Sequence, residues 1–504
     1  METSHGRYFI GIDVSTTASK ALVIDERGAV VTSHSTPHDL DTPRPLWSEQ
    51  NPLQWWEATC ASLRAVLRQV PAEEVAALGL TGQMHGLTML DAQGQPLRPA
   101  ILWNDQRSAA QCAAVTEQVG PERMYQEIGS LMLPGFTAPK IRWVREHEPE
   151  IYRQTAHVLL PKDYVRLRLT GDYMTDVSDG SGFGLLDVGR RAWSDTMLAA
   201  FDIPPAWLPG LCESPEVCGR ISAEGAAATG LRAGTPVVGG AGDQPAQAVG
   251  SGILQPGQTS ITVGTSGVVF AASDHYDPDP QGRLHTFCHA VPGQWFHMGV
   301  MLSAAGGMRW LRDCVAAGRP FGELSDLAAQ VPRGAEGLLF APYLSGERHP
   351  HPDPLARGAF VGLTLRTTLG HLVRAVMEGV AFGLRDNLEL LAARGAAPRS
   401  AAVSGGATQS PVWRQILTDI AGVPLYTLTG GEGAAFGAAI LAAVGAGAWA
   451  SVAAACAEVV HQVDQSEPDP AGQAAYEPLY AIYRELYPAL REPFAALTRW
   501  SEEH

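Results

Sequence analysis

Short apolar, β-branched runs interrupted by hydroxyl-rich turns open both halves of the chain. Tyr8–Ile12 and Ala21–Ile24 flank a turn carrying Asp13, Thr16 and Thr17; Ser260–Val263 and Val268–Phe270 flank Gly264, Thr265, Ser266 and Gly267. Each reads as a β-hairpin with an open turn. Further strands are expected at Ala76–Thr81, Leu87–Leu90 and Pro236–Gly239, and helices at Pro52–Leu67, Ser108–Val119 and Pro139–His147. That mixture predicts a layered α/β architecture. A Gly/Pro stretch from Gly250 to Gly257 precedes the second hairpin, which divides the chain into 1–253 and 254–504.

Two helices are legible in the second half. From His371 to Arg394, apolar side chains at 372, 373, 376, 380, 384, 388 and 391 form one stripe, with Thr368 to cap its start and Gly395 its end. Pro411–Ala421 has Ser410 as N-cap, Pro411 in the first helical position and Gly422 after its end. Gly433–Ala457 contains no charged side chain and is long enough to span a bilayer. Its Ala and Gly content predicts instead one buried helix packed closely against its neighbours.

Composition narrows the function. A chain of 504 residues exceeds a single core, and 45% hydrophobic with 17% charged residues is ordinary for a globular protein. The net charge of −16 argues against nucleic acid or an anionic membrane as partner. An anionic nucleotide still binds where local donors and a metal outweigh that charge. Seven scattered cysteines without a CxxC spacing, and a first strand within ten residues of the N-terminus, predict reduced thiols and a cytoplasmic setting. Of 36 basic residues only Lys20, Lys140 and Lys162 are lysine, so each marks a place where a compact charge is wanted.

The candidate chemistry lies in the turns. Gly, Ser and Thr present backbone N–H and O–H donors to phosphate oxygens, and two such turns suggest two related half-molecules holding a nucleotide between them. Asp13, at the end of a buried strand, is either an anchor for Mg²⁺ through water or a turn aspartate bonded to its own backbone. Asp243, after a strand and three glycines, is either a general base or a helix cap. Thr81–Gly86, with Met84 and His85, and the segment from Trp103 to Arg107 resemble the rim of a small-molecule site; a structural histidine and a core tryptophan are the competing readings. Gly405 and Gly406 ahead of the helix capped by Ser410 suit a nucleotide contact.

Taken in order, these segments resemble the FGGY carbohydrate kinases over nearly the whole chain. Gly135–His147 fits the family's first signature; Gly358–Leu363 followed by His371–Glu378 fits its second. Gly82–Gly86, Leu102–Asp105, Leu160–Tyr164 and Tyr343–Arg348 are similar to its pentulose-kinase members. The resemblance implies two ribonuclease-H-like domains of the actin and hexokinase type with a cleft between them. It implies ATP- and Mg²⁺-dependent phosphorylation of the 5-hydroxyl of D-xylulose, and leaves a homodimer open. By position it makes Asp243 the catalytic base, Asp13 the residue near Mg²⁺, and Met84, His85, Trp103 and Gln244 the sugar contacts. Thr16, Thr17 and Thr265 become the phosphate turns, and Gly405, Gly406 and Ser410 the adenosine contact. Gln244 stands where many members have Asn and reaches one methylene further. Another ketose or polyol (ribulose, L-xylulose, erythritol) is therefore the alternative within the family. A non-catalytic actin-like nucleotide switch is the alternative outside it.

Overall fold

The fold is built on two seven-stranded sheets, seen in a computed structural model that describes residues 7–429 and 433–503. The first contains β1 (Tyr8–Val14), β2 (Ala18–Asp25), β3 (Val30–Pro37), β4 (Val75–Gly82), β5 (Val217–Arg220), β6 (Pro236–Val238) and β7 (Ala241–Gly242). Their order is β5-β6-β4-β1-β2-β3, with β7 also paired to β4. The second contains β8 (Thr259–Val263), β9 (Gly267–Ser273), β10 (His285–Cys288), β11 (Trp295–Met301), β12 (Ala401–Ser404), β13 (Leu425–Leu428) and β14 (Gln462–Ser466), in the order β10-β11-β9-β8-β12-β13-β14.

The two sheets repeat one plan. Three antiparallel strands, β3-β2-β1 and β11-β9-β8, are each followed by parallel additions, β4 then β6 and β12 then β13. This is the ribonuclease-H-like arrangement expected from the sequence, present twice. Phe9, Ile10, Ile12 and Val14 are fully buried, because β1 is central and covered on both faces, which explains its unbroken apolar run.

The helices that matter for the site are α1 (Pro52–Val66), α2 (Thr137–His147), α3 (Pro161–Thr170), α4 (Val177–Gly180), α5 (Asp243–Gly250), α6 (Ala305–Cys314), α7 (Leu369–Ala393), α8 (Pro411–Ala421), α9 (Ala434–Gly445) and α10 (Val452–Val459). The expected capping holds for both long second-half helices. The Thr368 N–H donates to His371 Nδ1 at 3.2 Å ahead of α7, and the Trp413 N–H donates to Ser410 Oγ at 3.2 Å in α8. Gly422 follows α8 at φ 72°, the left-handed stop that glycine allows.

The charge-free stretch Gly433–Ala457 is not one helix: it breaks after Gly445 and restarts as α10, whose Ala454 N–H is capped by Ser451 Oγ at 3.1 Å. Small residues have a packing cause in α9. A Cβ on Gly11 of β1 would lie 1.8 Å from the Ala435 carbonyl oxygen, one on Gly79 of β4 2.2 Å from that of Ala438, and one on Gly437 1.8 Å from that of Ala246. Helix and sheet meet backbone to backbone. A segment late in the chain thus covers the first sheet and braces α5, the helix that starts at Asp243. On another side of the molecule the halves share a core, where Met84 and Phe136 cluster with Phe287, Met298 and Val300.

Candidate active site

Strand register brings the two sequence-selected carboxylates together. Asp13 on β1 pairs with Thr81 on β4, and Thr81 pairs with Ala241 on β7, which leads directly into Asp243 at the start of α5. Gly242 occupies the N-cap with no side-chain capping bond. Asp13 Oδ1 is buried with no hydrogen-bond partner among the described residues. Burial raises Asp13 to about 6 despite Lys20, its register partner on β2. Burial, then the charge of Asp13, raises Asp243 to about 7, against the backbone and side-chain donors of Gln244 that favour its ionised form. The charge of Asp13 discourages ionisation of Asp243, which suits Asp243 to accepting a proton near neutral pH.

Beside Asp243 stands an apolar wall with one polar tip. Met84 lies over Gly242 so closely that a Cβ there would be 2.8 Å from its sulfur. His85 adopts a left-handed backbone, φ 69°, and its Nδ1 is 2.9 Å from the Gly182 carbonyl oxygen. A carbonyl only accepts, so Nδ1 carries the proton, and burial holds the ring neutral with its pKa lowered to about 3. Nε2 is then an acceptor for a hydroxyl. Phe136 stacks on the ring at 4.8 Å. The strained turn is pinned by Lys140, whose Nζ donates to the carbonyls of Gly135 (2.7 Å), His85 (3.0 Å) and Ile101 (3.3 Å). Lys140 is therefore a builder of the wall rather than a reacting group.

The first turn is wired into that wall. Thr16 Oγ1 accepts from Trp103 Nε1 (3.1 Å) and donates to Gln83 Oε1 (3.2 Å). Gln83 Nε2 and Trp55 Nε1 both donate to Gln50 Oε1 (2.8 and 3.0 Å), and Gln50 Nε2 returns to the Thr16 carbonyl (2.7 Å). The hydroxyl of Thr16 is spent inside the protein, and the N–H groups of Ser15, Thr17 and Ala18 bond within the turn, which leaves the exposed Thr17 side chain as its open polar group.

The second turn is built differently. Its carbonyls at Gly264 and Thr265 accept the N–H groups of Ala304, Ala305 and Gly306 at the start of α6 (2.8–3.1 Å), and the Thr265 side chain is exposed. Gly405, at φ 95°, sits where a Cβ would be 2.4 Å from the Val263 carbonyl oxygen. A cavity of about 640 Å³ opens beside it, lined by Gln247, Ser404, Gly405, Gly406, Thr408, Gln409 and Arg414 among others. Ser410 caps α8, also bonds Ser325 Oγ at 2.6 Å, and does not line that cavity. Gln247 Nε2 reaches from α5 to Thr262 Oγ1 at 3.1 Å, linking the two halves at the cavity edge.

Sequence reasoning missed a buried ion cluster behind Asp243. Lys162 Nζ on α3 meets Asp163 (2.5 Å), Asp176 (2.9 Å) and Asp179 (3.3 Å), all without solvent exposure. Asp176 Oδ1 caps α4 and accepts from Ser178 Oγ at 2.5 Å, while the Gly242 N–H donates to Ser178 Oγ at 3.3 Å. The cluster thus fixes the residue before Asp243. The rarity of lysine singled out Lys162, but nothing local named its partners.

Comparison with known proteins matches residues 8–250 to the N-terminal domain, and 259–446 to the C-terminal domain, of the FGGY family of carbohydrate kinases. The chain is 45% identical to a xylulose kinase of Escherichia coli over 486 residues, 96% of this chain and 99% of that protein. It superposes on a xylulose kinase from Rhodospirillum rubrum with a TM-score of 0.90 at 33% identity, covering 97% and 100% of the two chains. A gluconate kinase from Lactobacillus acidophilus gives 0.93 at 26% identity, covering 98% and 100%.

Proposed function

Because the chain belongs to the FGGY family of carbohydrate kinases, we propose that it transfers the terminal phosphoryl group of ATP to the 5-hydroxyl of D-xylulose, with Asp243 as general base. One observation carries the reading: Asp243 follows directly on Gly242, over which Met84 lies, at the end of a strand row that also holds Asp13, and burial beside that acid raises its carboxyl to about 7. A nucleotide switch needs neither that base nor a sugar rim.

Phosphoryl transfer asks the protein mainly for positioning and charge neutralisation. The sugar hydroxyl attacks the terminal phosphorus; the new O–P bond forms as the bond to ADP breaks, and Asp243 takes the hydroxyl proton. Met84 gives the carbon chain an apolar face, and His85 Nε2 accepts from a second hydroxyl. Trp103 holds the wall to the first turn through Thr16, so sugar and phosphate are positioned by one network. The partnerless Asp13 Oδ1 fits a hydrated Mg²⁺, which when bound would offset phosphate charge. Gly405 and Gly406 would receive the adenosine in the adjoining cavity. Among the described residues no helix is long and apolar enough to cross a membrane, and we place the reaction in the cytoplasm.

Gln244 favours one second reading. Its side chain bonds Asp243, and its length alters the floor on which a substrate would rest, so a related ketose, polyol or sugar acid is the alternative acceptor. Coupled ADP release measured across D-xylulose, L-xylulose, ribulose, erythritol and gluconate decides. The highest kcat/KM is expected for D-xylulose; a preference of tenfold or more for another acceptor would replace it.

A further inference from the structure

The helix that opens with Asp243 carries a further polar side chain for which the mechanism has no use. Within α5, Pro245, Ala246, Ala248, Val249 and Gly250 are buried, whereas Asp243, Gln244 and Gln247 are half-buried. At about 3.6 residues per turn, Gln247 lies one turn beyond Asp243 on the same face. Another flank of α5 is fixed against α9. A Cβ on Gly437 would lie 1.8 Å from the Ala246 carbonyl oxygen, and one on Gly250 3.1 Å from that of Gly433.

Gln247 reaches the other half of the molecule. Its Nε2 donates to Thr262 Oγ1 at 3.1 Å, and that hydroxyl bonds Ser404 Oγ, also at 3.1 Å. Thr262 and Ser404 are register partners on β8 and β12, so the two hydroxyls are held side by side. Alternation along β8 buries Ile261 and Val263 and turns Ser260 and Thr262 to the other face. Ser260, Ser404 and Gln247 all line the cavity of about 640 Å³ that Gly405 and Gly406 border.

The row has a donor left over. A hydroxyl holds one proton and two acceptor sites, so Thr262 accepts from Gln247 and still bonds Ser404. Among the described residues, one proton of the Thr262 and Ser404 pair then remains for a ligand in the cavity. From Pro245 to Gly250 every other side chain of α5 is small or apolar, so Gln247 alone brings a polar group across. Side chains from α5, β8 and β12 thus join the helix of the base to the wall of the cavity.

We infer that Gln247 is a positioning residue through which an occupied nucleotide cavity sets the helix that carries Asp243. Ser404 offers a hydroxyl to the nucleoside part of ATP, and Thr262 and Gln247 carry that contact to α5. This rests on the kinase reading above and adds to it a route by which the nucleotide side places the base on the sugar side. Gln247 touches no reacting atom. Its effect is on where the carboxyl of Asp243 stands when both substrates are bound.

The test compares wild type with Gln247→Ala, Thr262→Val and the double variant, each first checked by thermal melt. Tryptophan fluorescence reads the Kd of D-xylulose without nucleotide and with saturating MgADP; coupled ADP release reads kcat. In wild type, MgADP should tighten D-xylulose binding by about fivefold or more, and in Gln247→Ala by about twofold at most. Affinity for D-xylulose alone should stay within about threefold of wild type, while kcat falls by roughly tenfold as the base loses its placement. Thr262→Val should do the same, and the double variant should lose no more than either single change, as one connected unit does. If Gln247→Ala melts early, Thr262→Val, which keeps the side-chain shape, decides alone. Wild-type coupling and kcat in the variants would overturn the inference, as would losses that add in the double variant or a wild type whose sugar affinity ignores MgADP. Intact coupling with a weaker MgADP Kd would make Gln247 a plain nucleotide contact and overturn it too. A wild type inert towards D-xylulose defeats the sugar assignment instead, and the comparison is then made on the acceptor that it does phosphorylate.

Discussion

In the first hairpin turn the Thr16 hydroxyl takes a hydrogen bond from Trp103 and gives one to Gln83, and the turn is tied through Gln50 to α1. In the second, Thr265 stands exposed, and the carbonyls of Gly264 and Thr265 are held by N–H groups at the start of α6. Near-identical residue types thus serve unlike ends. The first turn is a joint that ties Trp103 and Gln83 to β1 and α1. The second keeps its side-chain hydroxyl exposed. The proposed function puts the base on the first half and the nucleotide grip on the second, and substitutions should separate the two.

The largest separation is expected at Asp243. Asp243→Ala should lower kcat by about 10²–10⁴-fold while the ATP dissociation constant, read by equilibrium titration, stays within a few-fold. Retained turnover would remove the base from this position. Next comes the nucleotide side. Gly405→Ala forces a Cβ against the Val263 carbonyl and a side chain into a left-handed backbone, so KM for ATP should rise by roughly tenfold with D-xylulose affinity unchanged. A sugar defect of equal size would erase the division between halves. Thr16→Val should do what neither of these does. Losing the bridge leaves Trp103 Nε1 and Gln83 Oε1 unpaired, at about 1–3 kcal/mol, so KM for both substrates should rise together by several-fold. A shift in ATP alone would make the first turn a simple phosphate loop.

The smallest effect is on stability, and its sign is opposite. A raised carboxylate pKa means that the folded state holds the proton longer than the unfolded chain. The penalty therefore grows as pH rises from the ordinary carboxylate range through about 7. Asp243→Asn, neutral at every pH, should melt a few degrees higher than wild type, with the gain larger at about pH 8 than at about pH 5. A variant less stable than wild type at both values would contradict the strained pair of Asp13 and Asp243.

Local signals in the sequence reached the hairpins and the capped helices, because Ser410, Pro411, Gly422 and the hydroxyl-rich turns act on residues a few positions away. The same holds for Asp13 and Asp243, each marked by a strand end. What could not be read locally was set by register and long-range packing. The row Asp13–Thr81–Ala241 exists only once three distant strands pair. The Gly433–Ala457 segment looked uniform because alanine and glycine suit both a helix and its end; at the break after Gly445, Gly447 takes a left-handed φ of 76° and Ser451 caps the restart. Lys162 was visible as a residue type, but its meaning depends on partners brought by other segments.

The central claim is a proton acceptor at position 243 tuned to neutrality within the sugar side of the cleft. The most direct measurement is kcat/KM for the sugar against pH, from about 5 to 9, at saturating MgATP. The account predicts that wild-type kcat/KM rises through an apparent pKa near 7 and then levels, and that this limb disappears in Asp243→Ala. A flat wild-type profile, or the same limb persisting without the carboxylate, would contradict it.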